Sequence, residues 1–247
     1  MKKFFSLSIF LLVLTSCSEE LTFEDQSFEQ KSSLPCTEDC PIVTVNVPVA
    51  QNIPVVADSI NKKVFSVVKS ILDFGETPSN DKDYPALLKT FIGAYDQMKR
   101  EYPEDIFGWE GKINGKLVYE SDKVLNIEID HYTFTGGAHG YQGLRSLLFD
   151  PETGKSITYQ QMFKDVPAFQ AFAEKKFREK FKIPASDNIN ATGLMFEEDR
   201  FVLPLNIFYN DLGLLLYYNA YEAASYADGA KELQLTYAEL EGYLAIK

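Results

Sequence analysis

Three stretches of the chain repeat apolar residues at the three- and four-residue spacing of an amphipathic helix. Asp58 or Ser59 can cap the first stretch, and Pro85 is a favoured first-turn residue for the second. A capping box at Thr236 and Glu239 opens a short last helix. Such apolar stripes form core far more often than a ligand site. The three longer helices are predicted near residues 60–72, 85–101 and 167–181.

Elsewhere the apolar period changes to two, which is typical of strands. Residues 107–113 and 116–120 flank Asn114-Gly115, a dipeptide that favours a type I′ turn, so a β-hairpin is predicted there. Pro48 favours a sheet edge for the strand that contains it. The other strands are predicted at 42–49, 124–134, 144–149, 200–208, 214–219 and 231–236.

Strands linked by short turns argue against a doubly wound parallel sheet. We therefore predict an α+β fold, with antiparallel β-sheets on which the helices pack. The pattern divides into two adjoining subdomains, at 41–155 and 156–247.

A glycine-rich corner joins the strands at 124–134 and 144–149. The stretch 131–155 contains both histidines of the protein and five of its fourteen glycines. Gly136 and Gly137 can adopt positive φ, and Gly140 lets another segment approach closely. The sequence therefore predicts a tight corner between two strands.

Composition and charge narrow the possible partners. The chain has 247 residues, of which 45% are hydrophobic and 24% charged, as expected for a folded protein. Its net charge is −12, and loss of Lys2 and Lys3 with a signal peptide would make it −14. Such a surface repels nucleic acid and anionic lipid headgroups and favours a basic partner or none.

The N-terminus has the pattern of an export signal. Two lysines precede an apolar run that is too short to span a bilayer, so residues 1–16 are interpreted as a signal peptide. The tetrapeptide L-T-S-C that ends at Cys17 resembles the lipobox of bacterial lipoproteins, in which the cysteine is acylated, for example with palmitate. This resemblance implies an outer-membrane lipoprotein, either periplasmic or surface-exposed; the alternative is an ordinary secretory signal with an incidental cysteine.

Residues 17–40 are polar and acidic, without sustained periodicity, and are predicted to form a tether. Cys36 and Cys40 lie near its end. In an exported protein such a pair favours a disulfide. A metal site is the weaker alternative, because no further cysteine or nearby histidine completes it.

Candidate catalytic residues are few. His131 and His139 could ligate a metal, but Asp130 is the only carboxylate beside them, and a histidine at a strand corner is usually structural. The acidic run 197–199 could contribute to a glycosidase-type carboxylate pair, or it could be a solvated turn. No G-x-S-x-G, H-E-x-x-H or P-loop pattern is present. We therefore expect no cofactor and no metal. An enzyme with an unrecognised site is the weaker alternative.

Three motifs stand out: T-G-G-A-H-G at 135–140, F-D-P-E-T-G-K at 149–155 and Y-Y-N-A-Y-E-A-A-S-Y-A-D-G at 217–229. Together they resemble a family of exported bacterial domains of unknown function. Those domains form the extracellular part of RsiV-type anti-sigma factors, which binds lysozyme, and a non-catalytic part of PdaC-type peptidoglycan deacetylases. The resemblance covers roughly residues 40–245, in two parts that meet near 155. Ala220 and Ser225 stand where the family commonly has prolines.

The last motif places four tyrosines within ten residues. Tyrosines anchor protein interfaces and stack on sugars while losing little side-chain entropy; the alternative is that they pack the sheet edge. With the resemblance, we predict a non-catalytic binding surface that recognises a basic protein such as lysozyme, or a peptidoglycan-like glycan. Its residues are Tyr221, Tyr226, Gly136, Gly137 and His139.

Overall fold

The computed structural model describes residues 20–73, 79–104 and 107–247. The predicted signal peptide 1–16 and Cys17 lie outside these described residues. Five helices and two open sheets confirm the predicted α+β class.

The first sheet has five strands in the order β1-β2-β3-β4-β5. Neighbouring strands are antiparallel except β2 and β3, which are parallel because two helices, α1 and α2, cross between them. The strands are β1 Thr22–Lys31, β2 Ile42–Gln51, β3 Glu110–Glu120, β4 Leu125–Phe134 and β5 Tyr141–Phe149. The crossing helices are α1 Pro54–Leu72 and α2 Tyr84–Glu101.

The crossing helices cover one face of this sheet. Alternate side chains of the strands, such as Val45, Ile113 and Ile129, are fully buried against Val64 and Phe91 of the helices. The period-two pattern of the strands and the helical stripes thus meet in one core. We call the end of the sheet at Glu110 and Phe134 the upper end. There the opposite face exposes mainly polar side chains, and we call it the open face. It carries Glu110, Lys112, Asn114, Asp130, Tyr132, Phe134 and Gln142.

Helix α1 begins earlier than predicted. Pro54 occupies its first turn, and Asp58, proposed as a cap, instead pairs with Lys62 at 2.7 Å inside the helix. The proline fixes φ at a helical value. Its missing N–H costs nothing, because an N–H at the first helical position has no partner within the helix, and both properties favour the earlier start. Helices α2 and α4 (Val166–Phe181) match their predictions within a residue.

The hairpin predicted at Asn114-Gly115 is wrong. Both residues lie inside the continuous strand β3, which pairs with β4 along its length. A Cβ at position 115 would lie 2.9 Å from Pro48 Cδ and 3.0 Å from Ile129 Cδ1. The glycine therefore permits close packing of neighbouring strands rather than a turn.

The tether prediction is wrong for residues 22–31. They form β1, which pairs with β2 over ten residues. Phe23 and Phe28 pack against the first core, and the Phe28 ring stacks on Tyr84 of α2 at 4.8 Å. Because β1 takes the outer place, Pro48 lies in an inner strand. It is accommodated there because the β2–β3 pairing ends at Asn46.

Cys36 and Cys40 are joined by a disulfide with a Cα–Cα distance of 5.6 Å. The loop between them presses on Gly108, where a Cβ would lie 1.5 Å from the Asp39 carbonyl oxygen. Only glycine fits there, so the loop and the start of β3 are fixed to each other.

The second sheet has three antiparallel strands in the order β6-β7-β8. Strand β6 begins later than predicted, since Phe201 and Val202 offer their carbonyls to the side chains of Gln170 and Tyr218 instead of a strand. The capping box of Thr236 and Glu239 is present and opens α5. The elements are α3 Tyr159–Met162, α4 Val166–Phe181, β6 Asn206–Asn210, β7 Gly213–Tyr218, β8 Lys231–Thr236 and α5 Tyr237–Leu240.

Buried asparagines join the two sheets. The Asn219 side chain accepts from the Leu144 N–H at 2.7 Å and donates to its carbonyl at 3.0 Å. Asn206 accepts from the Ser146 N–H, and Asn126 accepts from the Tyr209 N–H. These amides satisfy backbone groups that no strand pairs, so the sheets meet at a fixed polar seam.

A second core lies beneath α4 and the second sheet. It includes Phe169, Phe177 and Leu216, and also Val124 and Leu148 from the first sheet. The two cores therefore share the first sheet between them. Within the described residues, no helix combines the length and the apolar character needed to cross a membrane.

Candidate binding surface

The predicted corner is the connection between β4 and β5. Gly136 and Gly137 have φ of +107° and +89°, the region that favours glycine. A Cβ at Gly140 would lie 2.4 Å from the Tyr132 hydroxyl oxygen. The corner therefore folds down onto the phenol of Tyr132, and a larger residue at position 140 would displace that ring.

The predicted tyrosine segment is the connection between β7 and β8. Its first turn is closed by the Asn219 N–H, which donates to the Glu222 carboxylate at 2.6 Å, and by the Tyr221 N–H, which donates to the Ala224 carbonyl at 2.9 Å. Ala223 and Ala224 are buried beneath it. Tyr221 is held at φ +72°, uncommon for a bulky side chain, and is 57% exposed. Strain of this kind clusters at functional sites.

The two segments touch. The Tyr226 hydroxyl donates to the Gly140 carbonyl at 3.0 Å, and its ring stacks on His139 with centroids 3.9 Å apart. On the other side Tyr226 stacks with Tyr221 at 5.7 Å. We call His139, Tyr226 and Tyr221 the aromatic ladder. The structure thus brings together residues that the sequence separates by more than eighty positions.

Tyr226 and His139 share the Gly140 carbonyl as their acceptor. The Nδ1 of His139 lies 2.9 Å from that oxygen, which can only accept, so Nδ1 donates in this contact. The other two tyrosines of the segment serve packing: Tyr218 is buried and donates to the Val202 carbonyl, and Tyr217 is half-buried.

Two exposed apolar residues contact the tyrosine segment through their backbones. Met195 and Leu205 are 56% and 78% exposed. The Met195 N–H donates to the Ala223 carbonyl, and the Leu205 backbone lies beside Glu222, so both border the tyrosine segment. Sequence patterns missed these two residues, because isolated apolar positions in a loop carry no periodic signal.

The acidic run 197–199 forms a short 3₁₀ turn that follows Met195. Glu198 pairs with Arg200 at 3.1 Å, and Asp199 accepts from the Asn190 side chain at 2.7 Å. Glu198 and Asp199 both have positive φ, +52° and +56°. The carboxylates of Glu198 and Asp199 are thus engaged in local contacts, and the run forms an acidic turn close to Met195 in the chain.

His131 is separate from the ladder. It lies in β4 on the helix-covered face and is only 3% exposed. Neither ring nitrogen has a hydrogen-bond partner among the described residues, and burial, reinforced by the nearby Arg145 charge, lowers its pKa to about 4. The described part of the chain contains no group of three His, Cys, Asp or Glu side chains that could hold a metal.

Comparisons with known proteins give two family matches. Residues 34–142 match the family model described as deacetylase PdaC, and residues 160–238 match DUF3298, a family of unknown function. No curated protein matches the chain significantly.

Two crystal structures share the fold. A DUF3298 family protein from Pseudomonas aeruginosa PAO1 has 22% identity and a TM-score of 0.65, with 92% of this chain and 95% of that chain covered. A DUF3298 family member from Bacteroides fragilis NCTC 9343 has 16% identity and a TM-score of 0.65, with 92% and 96% covered. At these identities the likeness concerns the fold alone.

Proposed function

We propose that this chain, which joins a PdaC-type region to a DUF3298-type region, is a cell-envelope protein. Its aromatic ladder binds a partner protein without catalysing a reaction. The observation that carries the proposal is the contact of the two motifs. Tyr226 stacks with both His139 and Tyr221 and donates a hydrogen bond to the Gly140 carbonyl. These contacts hold the three rings together as a rigid aromatic surface. Rigid, exposed aromatics are typical anchors of protein interfaces.

The surroundings of the ladder favour a protein over a sugar. A sugar needs one exposed ring face and a few polar partners. Here Met195 and Leu205, whose backbones contact the tyrosine segment, add exposed aliphatic side chains to this region. Exposed apolar side chains gathered in one region mark protein interaction sites.

Charge favours a basic partner. The chain carries a net charge of −12, and the acidic turn 197–199 borders Met195. Lysozyme-like enzymes are strongly basic. Long-range attraction would raise the association rate, whereas specificity would come from the buried rings.

Calorimetric titration of the full chain with lysozyme tests this proposal. Tyr221→Ala should weaken binding by roughly 30-fold, corresponding to about 2 kcal/mol for a lost aromatic anchor, at both low and high salt. Alanine keeps the strained backbone of position 221, so the change isolates the ring. Tyr102→Ala removes a tyrosine of similar exposure far along α2 and serves as the matched control.

Salt separates the two contributions. Glu198→Gln should weaken binding mainly at low salt, because it removes charge without touching the ladder. An absence of heat and of co-elution at low salt would rule out a lysozyme-like partner. Equal binding by Tyr221→Ala and the parent chain would rule out the ladder as its site.

The name of the family model over residues 34–142 favours a second candidate, a deacetylase or hydrolase that acts on envelope glycan. The imidazole of the exposed His139 and the carboxylate of Glu198 are its candidate groups. Acetate or reducing-sugar release from purified peptidoglycan would support it, provided that His139→Ala or Glu198→Ala abolishes the release. Turnover by neither the parent chain nor the variants would leave the binding proposal in place.

We also propose an outer-membrane lipoprotein, anchored through acylated Cys17 and facing the periplasm or the cell exterior. The L-T-S-C sequence after a short apolar run supports it. Several buried acyl chains at about 0.8 kcal/mol per CH₂ would make such anchoring stable. Mass spectrometry of envelope material should show acylated Cys17 as the mature N-terminus, and a free Ser18 or intact Met1 would refute the anchor.

A further inference from the structure

Two adjoining cavities lie on the open face of the first sheet, beside the glycine corner, whose Gly140 contacts Tyr132. One has a volume of about 360 Å³ and crosses β3, β4 and β5. The other, about 310 Å³, lies at the upper end of β3 and β4. Glu110 lines both, so they form one cleft. Each volume falls within the range of ligand pockets, roughly 300–1,000 Å³.

Polar side chains line the first cavity in two rows. Lys112, Tyr132 and Gln142 stand directly opposite one another in the strand register. Asn114 and Asp130 form the next row. Cross-strand neighbours lie about 5 Å apart, so these groups present a flat array of a phenol, two amides and a carboxylate.

Aromatic rings line the second cavity. Phe134 projects on the same face as Tyr132, two residues further along β4, and Phe107 is 66% exposed opposite it. The disulfide loop closes the wall with Asp39 and Cys40. Because Gly108 is locked against that loop, Phe107 is held at the rim of the cleft rather than on a free segment.

We propose that this cleft binds a short neutral oligosaccharide. Aromatic faces stack on the C–H faces of sugar rings, and amides and carboxylates hydrogen-bond to hydroxyls, so the cleft offers both halves of that recognition. Lys112 is paired with Glu110, and the other charged side chains that line the cleft, Asp130 and Asp39, are both acidic. An anionic ligand would be repelled.

The backbone of the sheet disfavours a peptide in the same cleft. An extended peptide binds a sheet by adding a strand to its edge. The first cavity lies on the face of β3 and β4, whose backbone groups pair with neighbouring strands on both sides. Recognition there must come from side chains alone, as it does for sugars.

Nuclear magnetic resonance titration of the full chain tests the proposal. Cellotriose and chitotriose are the probes, since both are neutral β-linked trisaccharides and only chitotriose carries acetamido groups. We expect saturable shifts at the amides of Lys112, Tyr132 and Gln142. Phe107→Ala and Gln142→Ala should each weaken binding at least about fivefold.

Matched controls separate this site from the ladder. Gln97→Ala in α2 and Tyr102→Ala at its C-cap remove an exposed glutamine and an exposed aromatic ring outside the cleft and should bind the probes like the parent chain. Tyr221→Ala should also leave sugar binding unchanged, so failure of the ladder proposal and failure of this one are distinguishable. Three outcomes would overturn the inference: no saturable shift with either sugar, undiminished binding by both cleft variants, or saturation of the same amides by trilysine but not by the sugars.

Discussion

At the scale of single residues, His131 shows how burial decides a role that sequence leaves open. A histidine beside a glycine corner could be a metal ligand or a core residue. The structure places it opposite Gly143, where a Cβ would lie 2.9 Å from His131 Nε2. The glycine makes room for the ring, and burial keeps it neutral at pH 7.

This burial predicts a pH effect on stability. The unfolded chain binds the His131 proton below pH 6.5, whereas the folded chain binds it only below about 4. The free energy of unfolding therefore falls as the pH drops from 6.5 to 4, by about 3 kcal/mol from this group. Urea unfolding of the parent chain and of His131→Gln at both pH values should show the extra loss only in the parent.

His139→Gln is the control for this measurement, because His139 is exposed and lies in the corner. The same pH dependence in the parent chain and in His131→Gln would contradict the assignment.

At the scale of elements, periodicity predicted the helices and most strands, because each has one buried face. It failed where a residue's local preference was overruled by packing. Asn114-Gly115 favours a turn, yet β3 continues through it. The neighbouring strands occupy the space that a side chain at position 115 would need. Strand β1 was missed because its partly buried positions are mixed Phe and Gln, without a regular apolar period.

The asparagine seam is an element-scale feature that sequence could not reveal, since Asn219 and Leu144 are far apart in the chain. Asn219→Ala would leave the N–H and the carbonyl of Leu144 without partners. We expect the free energy of unfolding to fall by about 2 kcal/mol or more. Thermal or urea unfolding measures this.

Asn114→Ala provides the comparison. It removes an exposed amide that hydrogen-bonds to the side chain of Asn46, so its effect should be within about 0.5 kcal/mol. Equal losses for the two variants would mean that the seam adds nothing beyond an ordinary surface contact.

At the scale of the whole molecule, the sequence indicated the pairing of a glycine corner with a tyrosine segment through a resemblance, while the geometry of that contact required the folded chain. The cleft was not predicted at all. Its lining residues come from four strands, the residues just before β3 and the disulfide loop, and the alternation at Tyr132 and Phe134 is that of an ordinary strand.

Strand β1 gives a prediction at this scale. A chain that begins at Pro41 lacks β1, so it exposes the β2 edge and loses the Phe28–Tyr84 stacking. We expect a lower urea midpoint and concentration-dependent association through the free edge, compared with a chain that begins at Ser18. Light scattering and unfolding curves measure both, and identical curves would show that β1 is dispensable.

The register of β1 also determines which way the molecule would point. Thr22 pairs with Gln51 at the lower end of the first sheet, whereas Lys31 and Ile42 lie at the upper end, beside Glu110 and Phe134. The corner and the ladder follow Phe134, so they stand at the far end of strands that are about 33 Å long. Only four residues separate Cys17 from Thr22. A lipid on Cys17 would hold the lower end of the sheet close to the bilayer, so the ladder would lie at the end that faces away from the membrane. Diffusing partners would reach it there, whereas partners confined to the same membrane would not.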